Sequence, residues 1–298
     1  MVWPGNHGRK GLEQMKLGIS FANSGKFSRR ELFAELARDC EDLGFESIWT
    51  VEHVVIPQPH MPYPGSKDGQ MPGGDEVPIP DPLIPLAYAA AITSRLKLST
   101  GVIILPQRHP LYLAKQLATL DVLSNGRMMV GIGSGWMKEE FDSLQIPFNV
   151  RGARTDESIQ AMRALWSEQV ANFNGKHFQF RGVKSYPKPV QKNGIPIHIG
   201  GHSLAAARRA GRYGDGFFPT LTNPAKLSEL FAIAREEARK TGRKPDTIEF
   251  SAMAAPKAEA IKPLRDIGVT RIIIAPPSSD PVRLRSGLEK MANDLAGV

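Results

Sequence analysis

Leu98-Ser-Thr-Gly-Val-Ile-Ile-Leu-Pro106 and, further on, Gly131-Ile-Gly-Ser-Gly-Trp-Met-Lys-Glu-Glu-Phe141 decide the fold. The span reads as an apolar strand, a helix opened by Pro110, a second apolar strand and a glycine-rich turn. Apolar strands alternating with helices build a parallel sheet, and ligands sit at the carboxyl ends of its strands. The turn from Gly131 to Gly135 lies at one such end, where glycine lets the backbone approach a ligand closely.

The same alternation extends in both directions. Strands are predicted at Lys16–Ala22, Ser47–Val51, Leu96–Ile104, Met128–Ile132, Ile195–Ile199, Gly216–Pro219, Thr247–Met253 and Arg271–Ile274. Helices follow at Ser28–Leu43, Pro82–Ser94, Pro110–Leu123, Thr155–Ser167, Ser203–Gly211, Pro224–Lys240, Ala258–Ile267 and Pro281–Leu295. Ser28 with Glu31 reads as a capping box, and Gly44 as the stop of that first helix. Eight strand–helix cycles close a (β/α)8 TIM barrel better than they fill an open sheet, and 298 residues suit a fold of about 250.

Two departures from the regular pattern stand out. A long loop, rich in proline and glycine, runs from Val54 to Pro80 after the second strand. An insertion after the fourth strand holds a hairpin through Asn174-Gly175. The loop leaves the carboxyl end of its strand, which suggests a cover over substrate, with a solvated insertion as the plainer reading. Residues 1–14 read as an N-terminal extension, a tag or alternative start before Met15, and 15–298 as a single barrel domain.

The net charge is +8, but Lys and Arg are scattered; the nearest approach to a cluster is Arg208, Arg209 and Arg212. No nucleic-acid motif accompanies them, so an anionic small molecule is the expected partner, with neither nucleic acid nor membrane. The lone Cys40 shares a helix face with Leu32, Phe33, Leu36 and Leu43, which places it in the core and precludes an internal disulfide. With no long apolar run and no secretory signal, a cytoplasmic protein is expected.

Glu52-His53 closes the second strand at the expected mouth, and histidine passes protons near neutral pH. A histidine held by local hydrogen bonds is the plain alternative. His198 and His202 flank a strand end and a glycine turn, not a helix face, and no metal site is expected. The glycines from Gly131 to Gly135 do not make the dinucleotide fingerprint. Gly200-Gly201-His202-Ser203 opens a helix and suits either a phosphate or a plain tight turn. Neither a serine-hydrolase elbow nor a nucleotide phosphate loop occurs, so a redox cofactor would have to supply the chemistry.

Taken together, the motifs resemble the luciferase-like monooxygenase family. They are Thr50-Val51-Glu52-His53, Thr100-Gly101-Val102, Arg108-His109-Pro110, Lys115 to Asp121 with Gly126-Arg127, Arg151 to Glu157, and Gly200 to Ser203 with Gly214-Asp215-Gly216. The glycine turn with Trp136 and Glu139-Glu140-Phe141 resembles the members that use coenzyme F420, a deazaflavin. FMN-using members often carry arginine and an aromatic residue where Ser134 and Trp136 stand.

The resemblance implies a barrel that binds flavin or deazaflavin. Gly101-Val102 would form a bulge behind the ring, often through a cis peptide. His53, with Glu52, would serve catalysis; Ser134, Gly135 and Glu139 would line the cofactor groove; Gly200, Gly201 and His202 would hold its phosphate; Thr220 would face substrate. Leu221-Thr222-Asn223-Pro224 offers no positive charge for a sugar phosphate. The expected activity is hydride transfer between coenzyme F420 and a small organic substrate, in a homodimer. The alternatives are an FMN-dependent monooxygenase and a non-catalytic flavin- or deazaflavin-binding protein.

Overall fold

In the computed structural model, which describes residues 15–297, one apolar strand is broken in two and the break closes the sheet. The strands and helices run β1 (Lys16–Ile19), α1 (Arg30–Asp42), β2 (Ser47–Thr50), α2 (Leu83–Ile92), β3 (Lys97–Thr100), β4 (Ile103–Ile104), α3 (Pro110–Leu123), β5 (Val130–Gly133), α4 (Lys138–Ser143) and α5 (Arg151–Ser167). The hairpin β6 (Ala171–Asn174) and β7 (Gln179–Val183) follows. The chain continues with β8 (Ile197–Gly200), α6 (Leu204–Tyr213), β9 (Gly216–Phe218), α7 (Pro224–Lys240), β10 (Glu249–Met253), α8 (Ala258–Asp266), β11 (Val269–Ile274) and α9 (Pro281–Asp294).

The sheet order is β3-β2-β1-β11-β10-β9-β8-β5-β4, and its pairs are parallel. Its two ends, β3 and β4, belong to the single strand expected over Leu96–Ile104. The sequence pattern did not reveal that split: β3 pairs with β2, β4 pairs with β5, and the chain changes partner across Gly101–Val102. A parallel bridge between Leu98 and Met128 joins the lower part of the ring. Eight strand positions therefore close the expected barrel.

The helices cover the barrel through a core that includes Cys40, Leu86, Leu117, Ile159, Phe217 and Phe231, all fully buried. A second cluster fills the lumen: Trp49, Met129, Phe218 and Ile273. Below it, at the amino ends of the strands, lies a polar plug. The Arg271 side chain, 2% exposed, donates to Glu46 at 2.9 and 3.0 Å and to Glu249 at 2.6 Å.

Helix starts were the least legible feature. The capping box does not form: Ser28 ends a 3-10 turn, Gly25–Ser28, and α1 starts one residue after an extended Arg29. A residue that is itself in a helical turn cannot take the extended backbone of an N-cap. Gly44 does end the helix, at φ 80°. The short α4 was not foreseen, and α5 starts at Arg151, four residues before Thr155. The expected N-terminal extension, 1–14, lies outside the described residues.

Candidate functional site

The carboxyl ends of β2, β3, β5, β8 and β9 define the mouth, and each expected site residue sits there except Glu139, which follows on α4. Glu52 leaves β2 buried, its side chain 2% exposed. It accepts from the Ile104 N–H and from Arg108, whose Nε lies at 2.8 Å. Arg108 also donates to Asp81 at 2.7 Å. Burial pushes the Glu52 carboxyl above its ordinary value, against the pull of Arg108. The hydrogen bonds that Glu52, expected to serve catalysis, accepts come from β4 and from Arg108, and they tie β4 to the end of β2.

His53 takes a different neighbour. Its Nδ1 lies 3.1 Å from Glu140 Oε2, and Glu140 Oε1 accepts the Val54 N–H at 2.7 Å. Burial acts to raise the Glu140 carboxyl, but the bonds from His53 and the Val54 N–H outweigh it and hold it below the usual carboxylate range. A carboxylate there accepts from Nδ1–H, which leaves Nε2 as the basic nitrogen. The imidazole edge also meets Trp136, with ring centroids 5.9 Å apart at 79°. Glu140 is the functional residue that sequence reasoning missed. Its signal was present, an acidic pair ahead of Phe141, but the pair was read as a groove lining through Glu139. Only α4 shows which carboxylate turns to His53. One oxygen of Glu139, Oε2, is buried without a partner.

The peptide between Gly101 and Val102 is cis, as the resemblance implied. The bulge pushes the Val102 side chain across the mouth. A Cβ on Gly200 would lie 2.5 Å from Val102 Cγ1, and one on Gly133 would lie 2.8 Å from Val102 Cγ2. A Cβ on Gly131 would lie 1.9 Å from the Thr100 carbonyl oxygen, and one on Gly135 2.5 Å from the Phe141 ring. The glycines were read as making room for a ligand. These four make room first for the protein itself: the bulge, the neighbouring strand and α4.

Gly201 differs from them. Its φ is +97°, and the nearest atom to a Cβ built there is Ala206 Cβ at 3.5 Å. Ser203 caps α6 by accepting the Ala206 N–H, so the helix opens directly after this turn. A left-handed glycine before a helix N-terminus leaves backbone N–H groups and open space for an anion. His202 and Thr220, expected on separate grounds, meet here: Nδ1 and Oγ1 are 3.2 Å apart. Ser134 and Gly135 are half-buried at the end of β5.

The most distinctive motif residues are scaffold, not site. Arg127 caps the carboxyl end of α2 by donating to the Ala90, Thr93 and Leu96 carbonyls. Asp121 receives the Val190 N–H and the Gln191 amide, and Glu157 receives three N–H groups of the hairpin turn. Asp156 holds Arg209. Among the described residues no cluster of three or more His, Cys, Asp or Glu could hold a metal ion. No helix there is long and apolar enough to cross a membrane.

The fold is a closed parallel barrel with a cis bulge at Gly101–Val102, a glycine-lined mouth and a left-handed glycine, Gly201, just before a helix. The chain belongs to the luciferase-like monooxygenase family, whose model matches residues 17–259. It is 32% identical over 235 residues to an F420-dependent glucose-6-phosphate dehydrogenase of Amycolatopsis mediterranei, covering 76% of this chain and 63% of that one. The monooxygenase RslO1 from Streptomyces bottropensis superposes with a TM-score of 0.74 at 25% identity, covering 95% of this chain and 99% of its own. The coenzyme F420-dependent tetrahydromethanopterin reductase from Methanopyrus kandleri shares the fold, with a TM-score of 0.74 at 18% identity and 94% and 98% of the two chains covered.

Proposed function

We propose that the protein is an oxidoreductase that uses coenzyme F420 to move a hydride to or from a small organic substrate. The observation that carries this reading is the His53–Glu140 pair at 3.1 Å, placed at the barrel mouth where His53 leaves the end of β2. When bound, the deazaflavin supplies a hydride-accepting or hydride-donating carbon. Val102 offers an apolar back wall for its ring, Ser134 and Gly135 line the groove with Glu139 at its rim, and Gly200, Gly201 and His202 receive its phosphate. Glu140 fixes the His53 tautomer. His53 Nε2 then takes the hydroxyl proton as an alcohol is oxidised, or returns it as a carbonyl is reduced. Thr220, oriented by His202, faces the substrate.

The relatives bear on both readings. F420-dependent glucose-6-phosphate dehydrogenase favours the deazaflavin; the monooxygenase RslO1 favours a monooxygenase, with FMN as its cofactor in the second reading. Leu221 to Pro224 bring no cation to Thr220, which argues against a sugar phosphate. A cytoplasmic homodimer belongs to the same reading. The neighbouring helices α2 and α3 expose Ile84 at 70%, Tyr112 at 77% and Leu123 at 69%, an apolar surface suited to a second copy. The test is twofold. Fluorescence titration should give tighter binding of F420 than of FMN, and reduced F420 should support turnover without oxygen. Tighter FMN binding with oxygen-dependent turnover would transfer the assignment to the monooxygenase.

A further inference from the structure

The Val54–Pro80 loop has no helix or strand, yet it is anchored at both ends. Asn23, fully buried, donates through Nδ2 to the Val51 and Pro80 carbonyls, both at 2.9 Å, and accepts the Val51 N–H at 2.8 Å. The Gly25 N–H donates to Pro78 O at 2.9 Å. Within the loop, Asp75 ties two side chains together: His60 Nε2 lies 3.2 Å from Oδ1, and Gln58 donates to Oδ2 at 2.7 Å. The other ring nitrogen, His60 Nδ1, donates to Met61 O at 2.7 Å.

These ties bring the loop's rings to a tryptophan on a different segment. Tyr63 stands 5.3 Å from the Trp136 ring at 65°, His60 6.3 Å at 76°, and His53 5.9 Å at 79°. One indole at the end of β5 therefore has three rings standing steeply around it, one of them the candidate proton carrier. The box contains no lysine or arginine. Lys67 of the loop is exposed, and Arg108 is engaged by two carboxylates. Glu139 and Glu140 border the box, and one Glu139 oxygen is buried without a partner.

We propose that Trp136, Tyr63 and His60 form the specificity pocket of this site, and that it takes an uncharged alcohol or ketone with an aromatic body. The inference rests on the hydride-transfer reading and adds the substrate class to it. Edge-to-face contact between aromatic rings is worth about 0.5–1.5 kcal/mol per pair beyond area burial. Two such pairs, to Trp136 and Tyr63, favour an aromatic ring over a saturated ring of similar size by about tenfold. An anionic group would meet two carboxylates and no free cation, and would lose its hydration without compensation.

Calorimetric titration of the full chain with acetophenone, 1-cyclohexylethanone and 4-acetylbenzoate, with and without saturating F420, tests this. Acetophenone should bind about tenfold tighter than the cyclohexyl ketone, and 4-acetylbenzoate most weakly. Tyr63→Ala and Trp136→Leu should shrink the aromatic preference, and Tyr63→Phe should keep it. Circular dichroism checks that each variant is folded, and F420 affinity should not move in Tyr63→Ala. The proposal is overturned if the wild type binds none of the probes, shows no aromatic preference or prefers the carboxylate, or if both folded truncations retain the preference. Failure of F420 to bind would sink the hydride-transfer reading by itself, while the ranking of the probes would still judge the pocket.

Discussion

Replacing Gly200 by alanine tests how the mouth is built. Gly200 does not have a left-handed backbone, so alanine brings no backbone strain. Its Cβ would lie 2.5 Å from Val102 Cγ1 and 3.3 Å from Ile132 O. Overpacking of this kind costs about 1–3 kcal/mol. Val102→Ala removes the offending methyl groups and leaves Val102 Cβ at 3.7 Å, an ordinary contact. By itself Val102→Ala should cost about 1 kcal/mol, because the side chain is only half-buried. The double variant should then be about 1–2 kcal/mol more stable than the sum of the singles, short of full recovery because the Ile132 oxygen remains. Urea denaturation measures each stability, provided the transitions are two-state with a common slope. Gly133→Ala should be rescued in the same way, since its clash is with Val102 Cγ2 at 2.8 Å. Gly131→Ala should not be rescued, since it meets the Thr100 carbonyl at 1.9 Å. Strict additivity for Gly200→Ala and Val102→Ala would refute the argument that the bulge makes the glycine necessary.

His53→Ala should lower turnover by roughly 100- to 10,000-fold with little change in melting temperature, and Glu140→Ala should follow it and alter the pH–rate profile, because the tautomer is no longer fixed. Glu52→Ala should instead destabilise the fold by about 1–3 kcal/mol, since it leaves the Ile104 N–H without its acceptor and Arg108 with Asp81 alone; calorimetry distinguishes this from a purely catalytic loss. Gly201→Val should weaken cofactor binding in a folded protein, and unchanged affinity would place the phosphate elsewhere. Acid should destabilise the protein in two windows. Burial, reinforced by Arg271, lowers His198 from 6.5 to about 4, so the unfolded chain takes up that proton first and up to about 3 kcal/mol is lost as pH falls from 6.5 to 4. Burial opposes ionisation of Glu249, but Arg271, His198 and Lys16 outweigh it and hold it at about 2, so the stability it contributes above 4.5 is lost as pH falls towards 2. His198→Leu should flatten the first window in pH-dependent urea titrations.

The barrel was legible in the chain because each strand–helix unit carries its own local signal. Apolar runs, Pro110 and Pro224 at helix starts, and Asn125-Gly126 as a left-handed turn with φ 54° and 77° all act over a few residues. The positions of His53, Gly201 and Thr220 at strand ends followed from the same alternation. Their partners did not. Glu140 reaches His53 across 87 residues, through a helix too short for a periodic signal. Glu52 and His53 are adjacent in sequence, yet one is spent on Arg108 and the other faces Trp136. Which of two neighbouring side chains enters the core and which enters the mouth depends on where the next strands deliver their donors. The glycine turn makes the same point: composition marks a close approach, but only packing identifies Val102, Thr100 and Phe141 as what approaches. The sequence by itself determined the order of the eight strand–helix units, since these arise from short-range backbone preferences. The tertiary structure decided the partners, because hydrogen bonds and excluded volume act between residues that chain distance does not relate.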